Sequence, residues 1–223
     1  MRISHKYKFV FLCKPRSAST SIRTLLDPYS DIFGCESEPF HYHATALEIK
    51  MQFDKERWNW NDYFIFTSVR NPWDMMVSYY EFFRPDINYL YNYETERFGI
   101  RYQPGNPCSF TNWILNGHIR HILLYKNGVF LHDVWKKGFS RLSLATMIND
   151  IDGRNLVNEI IKVENLKNSL LKVFKHLGLN EIGSIHKINY SFHKSYRDYY
   201  NVETKKIIET EFASDIEFGR YTF

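Results

Sequence analysis

Cysteine pairs and long apolar runs are missing from this sequence, and each absence removes a class of protein. The 223 residues include three cysteines, Cys13, Cys35 and Cys108, with no C-x-x-C pair among them. A disulfide framework and a zinc ribbon are therefore not supported, and a reducing compartment is the plain inference. No stretch reaches the roughly 20 apolar residues of a membrane helix. The apolar run at residues 9–13 is also too short for a signal-peptide core. We therefore expect a cytoplasmic protein with no membrane span.

Strong charge of either sign is also absent. The net charge is +4 and 44% of the residues are hydrophobic, which argues against disorder as the main state. The mild positive charge fits an anionic ligand and does not by itself indicate nucleic acid. The length predicts a single domain over residues 1–223. The oligomeric state cannot be read from these numbers.

Patterns typical of buried strands alternate with helical patterns along much of the chain. The predicted strands cover residues 8–13, 63–69 and 159–163. The predicted helices cover residues 17–26, 73–83, 110–115, 166–177 and 202–212. Repeated strand–loop–helix units predict an α/β fold with a parallel sheet covered by helices. Ligands of such sheets bind at the carboxyl ends of the strands.

The loop after the first predicted strand has the composition of an anion site. Residues 14–21 read Lys-Pro-Arg-Ser-Ala-Ser-Thr-Ser and lead into a helix, whose first amides and dipole favour an anion. Arg16 adds a planar cation suited to phosphate oxygens. An ordinary hydroxyl-rich helix start beside a solvated arginine remains the alternative. No glycine precedes Gly34, so the Walker A pattern is absent, which argues against an ordinary P-loop ATPase or GTPase.

A second loop of similar character follows the next predicted strand. Arg70 stands at the strand end, and Ser78 lies eight residues later on the following helix. Alone this is a weak signal, since a capped helix beside a surface arginine would look the same. Two anion-suited loops in consecutive units describe a ligand with two separated phosphates.

These two loops resemble the nucleotide-binding motifs of sulfotransferases. Residues 15–21 are similar to the family's 5′-phosphosulfate loop, and residues 69–79 to its 3′-phosphate motif. Further similarity at residues 43–46, 163–166 and 215–223 favours the carbohydrate-type branch, sulfotransferase family 2. The resemblance implies a P-loop-like three-layer fold with a central parallel sheet flanked by helices. It also implies 3′-phosphoadenosine 5′-phosphosulfate (PAPS) as co-substrate and no metal.

Carried over by position, the resemblance assigns residues to each end of PAPS. The residues expected to bind the 3′-phosphate are Arg70 and Ser78. Those expected to bind the 5′-phosphosulfate are Arg16, Ser17, Ala18, Ser19, Thr20 and Ser21. The family's usual lysine is replaced by Arg16. Since arginine does not give up a proton, we expect Arg16 to stabilise charge on the leaving phosphate without protonating it. Lys14 does not align with the position of the family's lysine, but it is the alternative residue for that lysine's role.

Transfer to a hydroxyl also needs a group that accepts its proton. His41 and His43 form a His-x-His pair, and their side chains point the same way if the segment is extended. The pair resembles that of uronyl 2-O-sulfotransferases, which implies His43 as the base and His41 as a supporting or acceptor contact. Two metal ligands, or two surface histidines, are the alternatives.

The sequence as a whole predicts a sulfotransferase acting on a hydroxyl of a carbohydrate or a phenol. The acceptor region is expected at residues 84–155, where the resemblance is weakest. Its stacking faces are expected from Tyr89, Tyr91, Tyr93, Tyr102 and Trp113. A non-catalytic module that binds adenosine bisphosphate or nucleic-acid phosphates, and a P-loop-like phosphotransferase, are the alternatives. We expect no nucleic-acid partner for the enzyme.

Overall fold

Seven short strands are present in the computed structural model, which describes residues 1–35, 39–82, 109–115, 125–126, 129–130, 143–179, 183–186, 188 and 191–223. In chain order they are β1 (Arg2–Ser4), β2 (Phe9–Leu12), β3 (Ile32–Phe33), β4 (Phe64–Val69), β5 (Tyr125–Lys126), β6 (Val129–Phe130) and β7 (Glu159–Lys162). The first, second, third, fourth and seventh form one sheet, and β5 and β6 pair with each other. The three strands predicted from the sequence are all confirmed as members of the larger sheet.

Eight helices lie in the described residues, and five of them were predicted from the sequence pattern. In chain order they are α1 (Ser19–Leu26), α2 (Ala46–Glu56), α3 (Pro72–Phe82), α4 (Phe110–Leu115), α5 (Leu144–Ile148), α6 (Leu166–His176), α7 (Val202–Glu211) and α8 (Ala213–Gly219). Short 3-10 turns lie at Asp27–Tyr29, Trp60–Asp62, Val163–Asn165 and Tyr196–Tyr199. Gly178 has φ +62° just after α6, the left-handed conformation expected of a glycine that ends a helix.

The larger sheet has the strand order β3-β1-β2-β4-β7. Strand β4 pairs in parallel with β2 on one side and β7 on the other, so the sheet has a parallel centre. The predicted α/β class with a central sheet and flanking helices is confirmed. Strand β1 pairs antiparallel with both β2 and β3, so the sheet is mixed rather than wholly parallel.

Strands β2 and β4 form the buried centre of this sheet because their sequences are almost continuously apolar. Every residue of β2 is buried, and so is every residue of β4 after Phe64. Parallel strands covered on both faces have this composition. Leu12 is paired with Thr67, so the two strands end at the same edge. The loops that follow them therefore leave the sheet side by side.

The chain divides into two compact units, each with its own interior. The first comprises residues 1–70 and 144–189 and contains the larger sheet with α1, α2, α5 and α6. The second comprises residues 71–143 and 190–223. Its core joins α3, α4 and α7 through buried side chains such as Trp73, Met76, Trp113 and Ile208. Across the described ranges, no helix is long and apolar enough to cross a membrane.

Candidate functional site

The loop between β2 and α1 forms a backbone cradle at a helix start. The first helical hydrogen bond of α1 runs from the amide of Ile22 to the carbonyl of Ala18, at 3.1 Å. The amides of residues 19–21 precede this bond, and no side chain caps the helix. The first turn also holds no acidic residue. Backbone amides and the helix dipole thus favour an anion at this point.

Two residues of this loop hold a backbone conformation that favours glycine. Arg16 has φ +56° and Ala18 has φ +58°, in the left-handed region. Non-glycine residues pay roughly 1 kcal/mol or more there, and such strained positions cluster at ligand clamps. This left-handed backbone could not be predicted from the sequence, because the loop contains no glycine.

Ala18→Gly is expected to leave the free energy of unfolding unchanged or to raise it by up to about 1 kcal/mol, because glycine adopts this φ without strain. Ala18→Val should lower it by roughly 1 to 2 kcal/mol. Chemical denaturation measures both. As a control, Ala145→Gly within α5 should cost about 1 kcal/mol. An equal loss at both alanines would show that the backbone at Ala18 is not strained.

Two side chains at the carboxyl end of strand β4 and just after it form hydrogen bonds to this loop. The Ser68 hydroxyl donates to the carbonyl of Ser17 at 2.5 Å, and Nη1 of Arg70 donates to the carbonyl of Arg16 at 3.2 Å. The structure thus brings Arg70 against the loop, as expected of adjacent parallel strands. Ser68 was not identified from the sequence, because its partner lies 51 positions away and its own segment reads as ordinary strand.

The loop hydroxyls differ in what they contact. The Ser17 hydroxyl donates to the carbonyl of Pro15, and the Ser21 hydroxyl accepts from the amide of Ile188. Ser17, Ser19 and Ser21 are buried, whereas Ala18 and Thr20 are half-buried. The serine hydroxyls at 17 and 21 therefore hold the loop in shape, and the backbone amides are its main surface for an anion.

The two cations of the loop differ in access to solvent. The side chain of Lys14 is fully buried, at 0% exposure, whereas Arg16 is half-buried. Arg16 is thus the cation of residues 14–21 that a ligand reaches more directly. Arg16 is therefore better placed than Lys14 to meet an anion at this loop.

His43 is anchored beside the same loop. Its Nδ1 donates to the carbonyl of Cys13, the residue after β2, at 2.7 Å. A neutral imidazole that donates from Nδ1 carries its lone pair on Nε2. The hydrogen bond therefore selects the tautomer that can accept a proton at Nε2.

The segment that carries the His-x-His pair is a turn. His41 forms a β-bridge with Cys35, and residues 42 and 43 turn before α2. The condition under which the two side chains would point the same way, an extended segment, is therefore not met. The turn arises because the amide of His43 donates to Nδ1 of His41 at 3.2 Å, while Thr45 and Glu48 form a capping box that starts α2. The two imidazole centroids still lie 6.0 Å apart.

Arg23, which the sequence did not single out, links the loop to this turn. Its Nη2 donates to the Thr20 hydroxyl at 3.3 Å, and its guanidinium carbon lies 5.1 Å from the ring centre of Tyr42. Tyr42 stands between the two histidines. The loop and the histidine turn are therefore connected through a side chain of α1.

Ser78 belongs to the second unit, on helix α3. It is 1% exposed, and its hydroxyl lies 2.9 Å from that of Ser191.

Helix α3 begins at a cap in which the side-chain oxygen of Asn71 accepts from the amides of Trp73 and Asp74. Burial raises the pKa of the Tyr200 phenol well above its ordinary value, and nearby Asp74 acts in the same direction. Tyr200 therefore stays protonated and donates to the carbonyl of Trp73.

Other calls from the sequence lie outside the described residues. They include Tyr89, Tyr91, Tyr93, Tyr102 and most of the expected acceptor region at residues 84–155. Trp113, expected as a stacking face, is instead buried in the core of the second unit, at 1% exposure. Within the part of the chain that the structure describes, no three His, Cys, Asp or Glu side chains are grouped as a metal site would require.

Comparison with known proteins finds similarity among solved structures. No family model matches the sequence. No curated protein matches it either. Among solved structures, the mouse sulfotransferase SULT7A1 complexed with PAP is similar, with a TM-score of 0.49 and 10% sequence identity. The match covers 98% of this chain and 89% of that one. Because identity and TM-score are this low, function has to be inferred from the side chains of this chain.

Proposed function

We propose that this protein is a sulfotransferase, which moves the sulfuryl group of PAPS to a hydroxyl of an acceptor and releases adenosine 3′,5′-bisphosphate. One observation carries the proposal. A helix-start loop suited to a phosphate is held by Arg70 at the Arg16 carbonyl, and a histidine with the tautomer of a base is held at the nearby Cys13 carbonyl. A module that only binds phosphates would not need that histidine.

The residues of the loop fit the phosphosulfate end of PAPS. The uncapped start of α1, the left-handed backbone at 16 and 18, and the half-buried guanidinium of Arg16 together form a cationic cradle. Arg16 and residues 17–21, including the amides of residues 19–21, would hold the 5′-phosphosulfate, and Arg70 the 3′-phosphate. Ser78 is assigned to the 3′-phosphate by its motif alone. When bound, PAPS supplies an activated sulfuryl group and a stable phosphate leaving group.

His43 is proposed to take the acceptor proton. The nucleophile becomes stronger as its O–H bond breaks, and an imidazole with its lone pair on Nε2 accepts that proton. The Nδ1 bond to Cys13 keeps the ring oriented and stabilises the positive charge that the ring gains. His41, whose Nδ1 accepts from the amide of His43, supports the turn.

Arg16 is proposed to stabilise negative charge on the phosphate left behind. A fixed cation and preorganised amides aimed at developing charge are worth several kcal/mol in a water-poor site. Because arginine stays protonated at working pH, the leaving phosphate departs as an anion and takes no proton from this side chain.

Two acceptor classes are proposed from the sequence. The resemblance favours a carbohydrate, and the aromatic content of 17% also suits a phenol. We propose a single catalytic domain over residues 1–223, with the acceptor recognised by residues 84–155.

The decisive experiment is an acceptor screen with PAPS, in which sugars and phenols are compared and products are scored by the mass of one added sulfate. We expect transfer to at least one class, without added metal. A parallel series with ATP in place of PAPS tests whether the protein transfers phosphate instead. Binding of adenosine 3′,5′-bisphosphate with no sulfate gained by any hydroxyl compound would favour the non-catalytic module. Transfer of phosphate from ATP would favour the phosphotransferase.

A further inference from the structure

Helix α6 presents a basic face to solvent. Its sequence, LKNSLLKVFKH, contains no acidic residue, and the lysines at positions 167, 172 and 175 are exposed. Surface helices usually mix charges of both signs, because pairs one turn apart then stabilise the helix. Lys167 lies in the first turn, where a cation opposes the helix dipole. The charge of this face therefore does not serve the stability of the helix itself.

The turn between β1 and β2 brings two more lysines to the end of this helix. Lys6 and Lys8 are both exposed. The carbonyl of Lys8 accepts from the amide of Phe64 at 2.7 Å. The ring of Phe64 lies 4.3 Å from that of His176, the last residue of α6. The turn and the end of the helix are thus joined through one side chain.

A second set of aromatic contacts joins the same two elements. The ring centres of Tyr7 and Tyr29 lie 5.5 Å apart, and those of Tyr29 and Phe174 lie 6.0 Å apart. Tyr7 belongs to the turn and Phe174 to α6. These contacts fix the turn beside the helix, and we call the five exposed lysines of the two elements the basic patch: Lys6, Lys8, Lys167, Lys172 and Lys175.

The basic patch lies at the end of the sheet opposite to the candidate nucleotide loop. Lys8 directly precedes β2, and Phe64 begins β4, with which β2 is paired in parallel. The loop of residues 14–21 follows the other end of β2. The patch is therefore a separate surface of the first unit.

None of the five lysines forms an ion pair with a carboxylate in the described part of the chain. Lys6 and Lys8 instead stand over the rings of Tyr7 and Tyr63, with Nζ 5.0 and 4.8 Å from the ring centres. The carboxylate beside the turn, that of Asp31, accepts from the amides of residues 5 and 6. The positive charge of the patch thus remains available to an external anion.

One large apolar side chain lies among these charges. Leu171 is 45% exposed, and it stands four positions after Lys167 and four before Lys175. Residues at this spacing are neighbours on a helix surface. The rings of Tyr7 and Tyr29 are half-buried beside the helix. Lysines around an exposed leucine, with tyrosines at the edge, are typical of surfaces that rest on a lipid bilayer.

We propose that the basic patch binds the surface of a membrane rich in anionic lipid. The proposal goes beyond the proposed function and does not depend on it, because membrane binding needs no PAPS. Lysine clusters are attracted to acidic headgroups, and Leu171 can enter the apolar layer beneath them. A nucleic acid has no such layer, and its phosphates and bases are recognised most often by arginine, which the patch lacks.

The test measures binding of the full chain to vesicles of phosphatidylcholine and to vesicles of phosphatidylcholine and phosphatidylserine in equal parts, by co-sedimentation. We expect binding to the mixed vesicles alone, and weaker binding at higher salt. The double variant Lys6→Gln/Lys175→Gln should weaken binding roughly 20-fold, since each lysine beside an anionic leaflet contributes about fivefold. Leu171→Gln, which keeps every charge, should weaken it about fivefold.

The matched control is Lys194→Gln/Lys206→Gln, which removes the same charge from two exposed lysines of the second unit. It should change vesicle binding less than about threefold, since charges away from the contact are screened. Thermal unfolding shows that each variant is folded. Equal loss from the two double variants, equal binding to both kinds of vesicle, or vesicle binding that Leu171→Gln leaves unchanged would each overturn the proposal. A DNA duplex is offered in a parallel series. If the chain binds the duplex through the same lysines and does not bind the mixed vesicles, the patch recognises nucleic acid and the proposal fails.

Discussion

His43→Asn is expected to lower the turnover number by roughly 100- to 10,000-fold, the contribution that a positioned general base makes. Asparagine carries an N–H close to the position of Nδ1, so it can still donate to the carbonyl of Cys13 that His43 contacts at 2.7 Å. It has no basic nitrogen in place of Nε2. The variant thus keeps the turn and removes the proton acceptor, and the affinity for adenosine 3′,5′-bisphosphate should stay within about threefold, or 0.7 kcal/mol.

The pH dependence separates loss of a base from loss of structure. Turnover of the unmodified enzyme should fall on the acidic side as the imidazole becomes protonated, and this limb should be absent from His43→Asn. His41→Ala should have a smaller effect on turnover, because His41 contacts the backbone amide of His43. Full sulfuryl transfer by His43→Asn would falsify the assignment of His43 as the base.

Much of the first unit follows from local sequence. Strand β2 is wholly apolar and β4 is interrupted only by Thr67 and Ser68, because both strands are buried, and loops that contain Pro15 and Arg70 follow them. Parallel pairing of these strands then places Arg70 beside the loop of Arg16, as the sequence suggested. Strands β1 and β3 were not predicted, since three and two residues are too few to show a period.

Other parts of the site depend on contacts between distant positions. The turn at His43 is held by the carbonyl of Cys13, 30 positions earlier, and no local pattern encodes such a contact. The Ser68 hydroxyl and the Ser17 carbonyl are likewise distant in sequence. The left-handed backbone at Ala18 could not be predicted, because the residue there is not glycine. The assignments of His43, Arg16, Arg70 and Ser78 to PAPS chemistry remain predictions.

Arg70→Ala is expected to weaken binding of adenosine 3′,5′-bisphosphate by about 100-fold or more, because truncating a charged partner costs roughly 2 to 5 kcal/mol. One nitrogen of the guanidinium already donates to the carbonyl of Arg16. The planar fork has further N–H donors that can bind phosphate oxygens. Arg70→Lys retains charge but not the fork, so its affinity should fall between those of the alanine variant and the unmodified protein.

The control is Arg154→Ala, which removes an arginine of the same unit whose side chain is 77% exposed and pairs with Asp152 on the surface. It should leave nucleotide affinity unchanged, since exposed ion pairs contribute little. Calorimetry at fixed ionic strength measures the affinities, and thermal unfolding shows whether Arg70→Ala still folds. A folded Arg70→Ala that binds the bisphosphate within about threefold of the unmodified protein, a difference of only 0.7 kcal/mol, would remove Arg70 from the nucleotide site. Loss of affinity in Arg70→Ala with full affinity in Arg70→Lys would mean that charge alone, and not the fork, is what the phosphate requires.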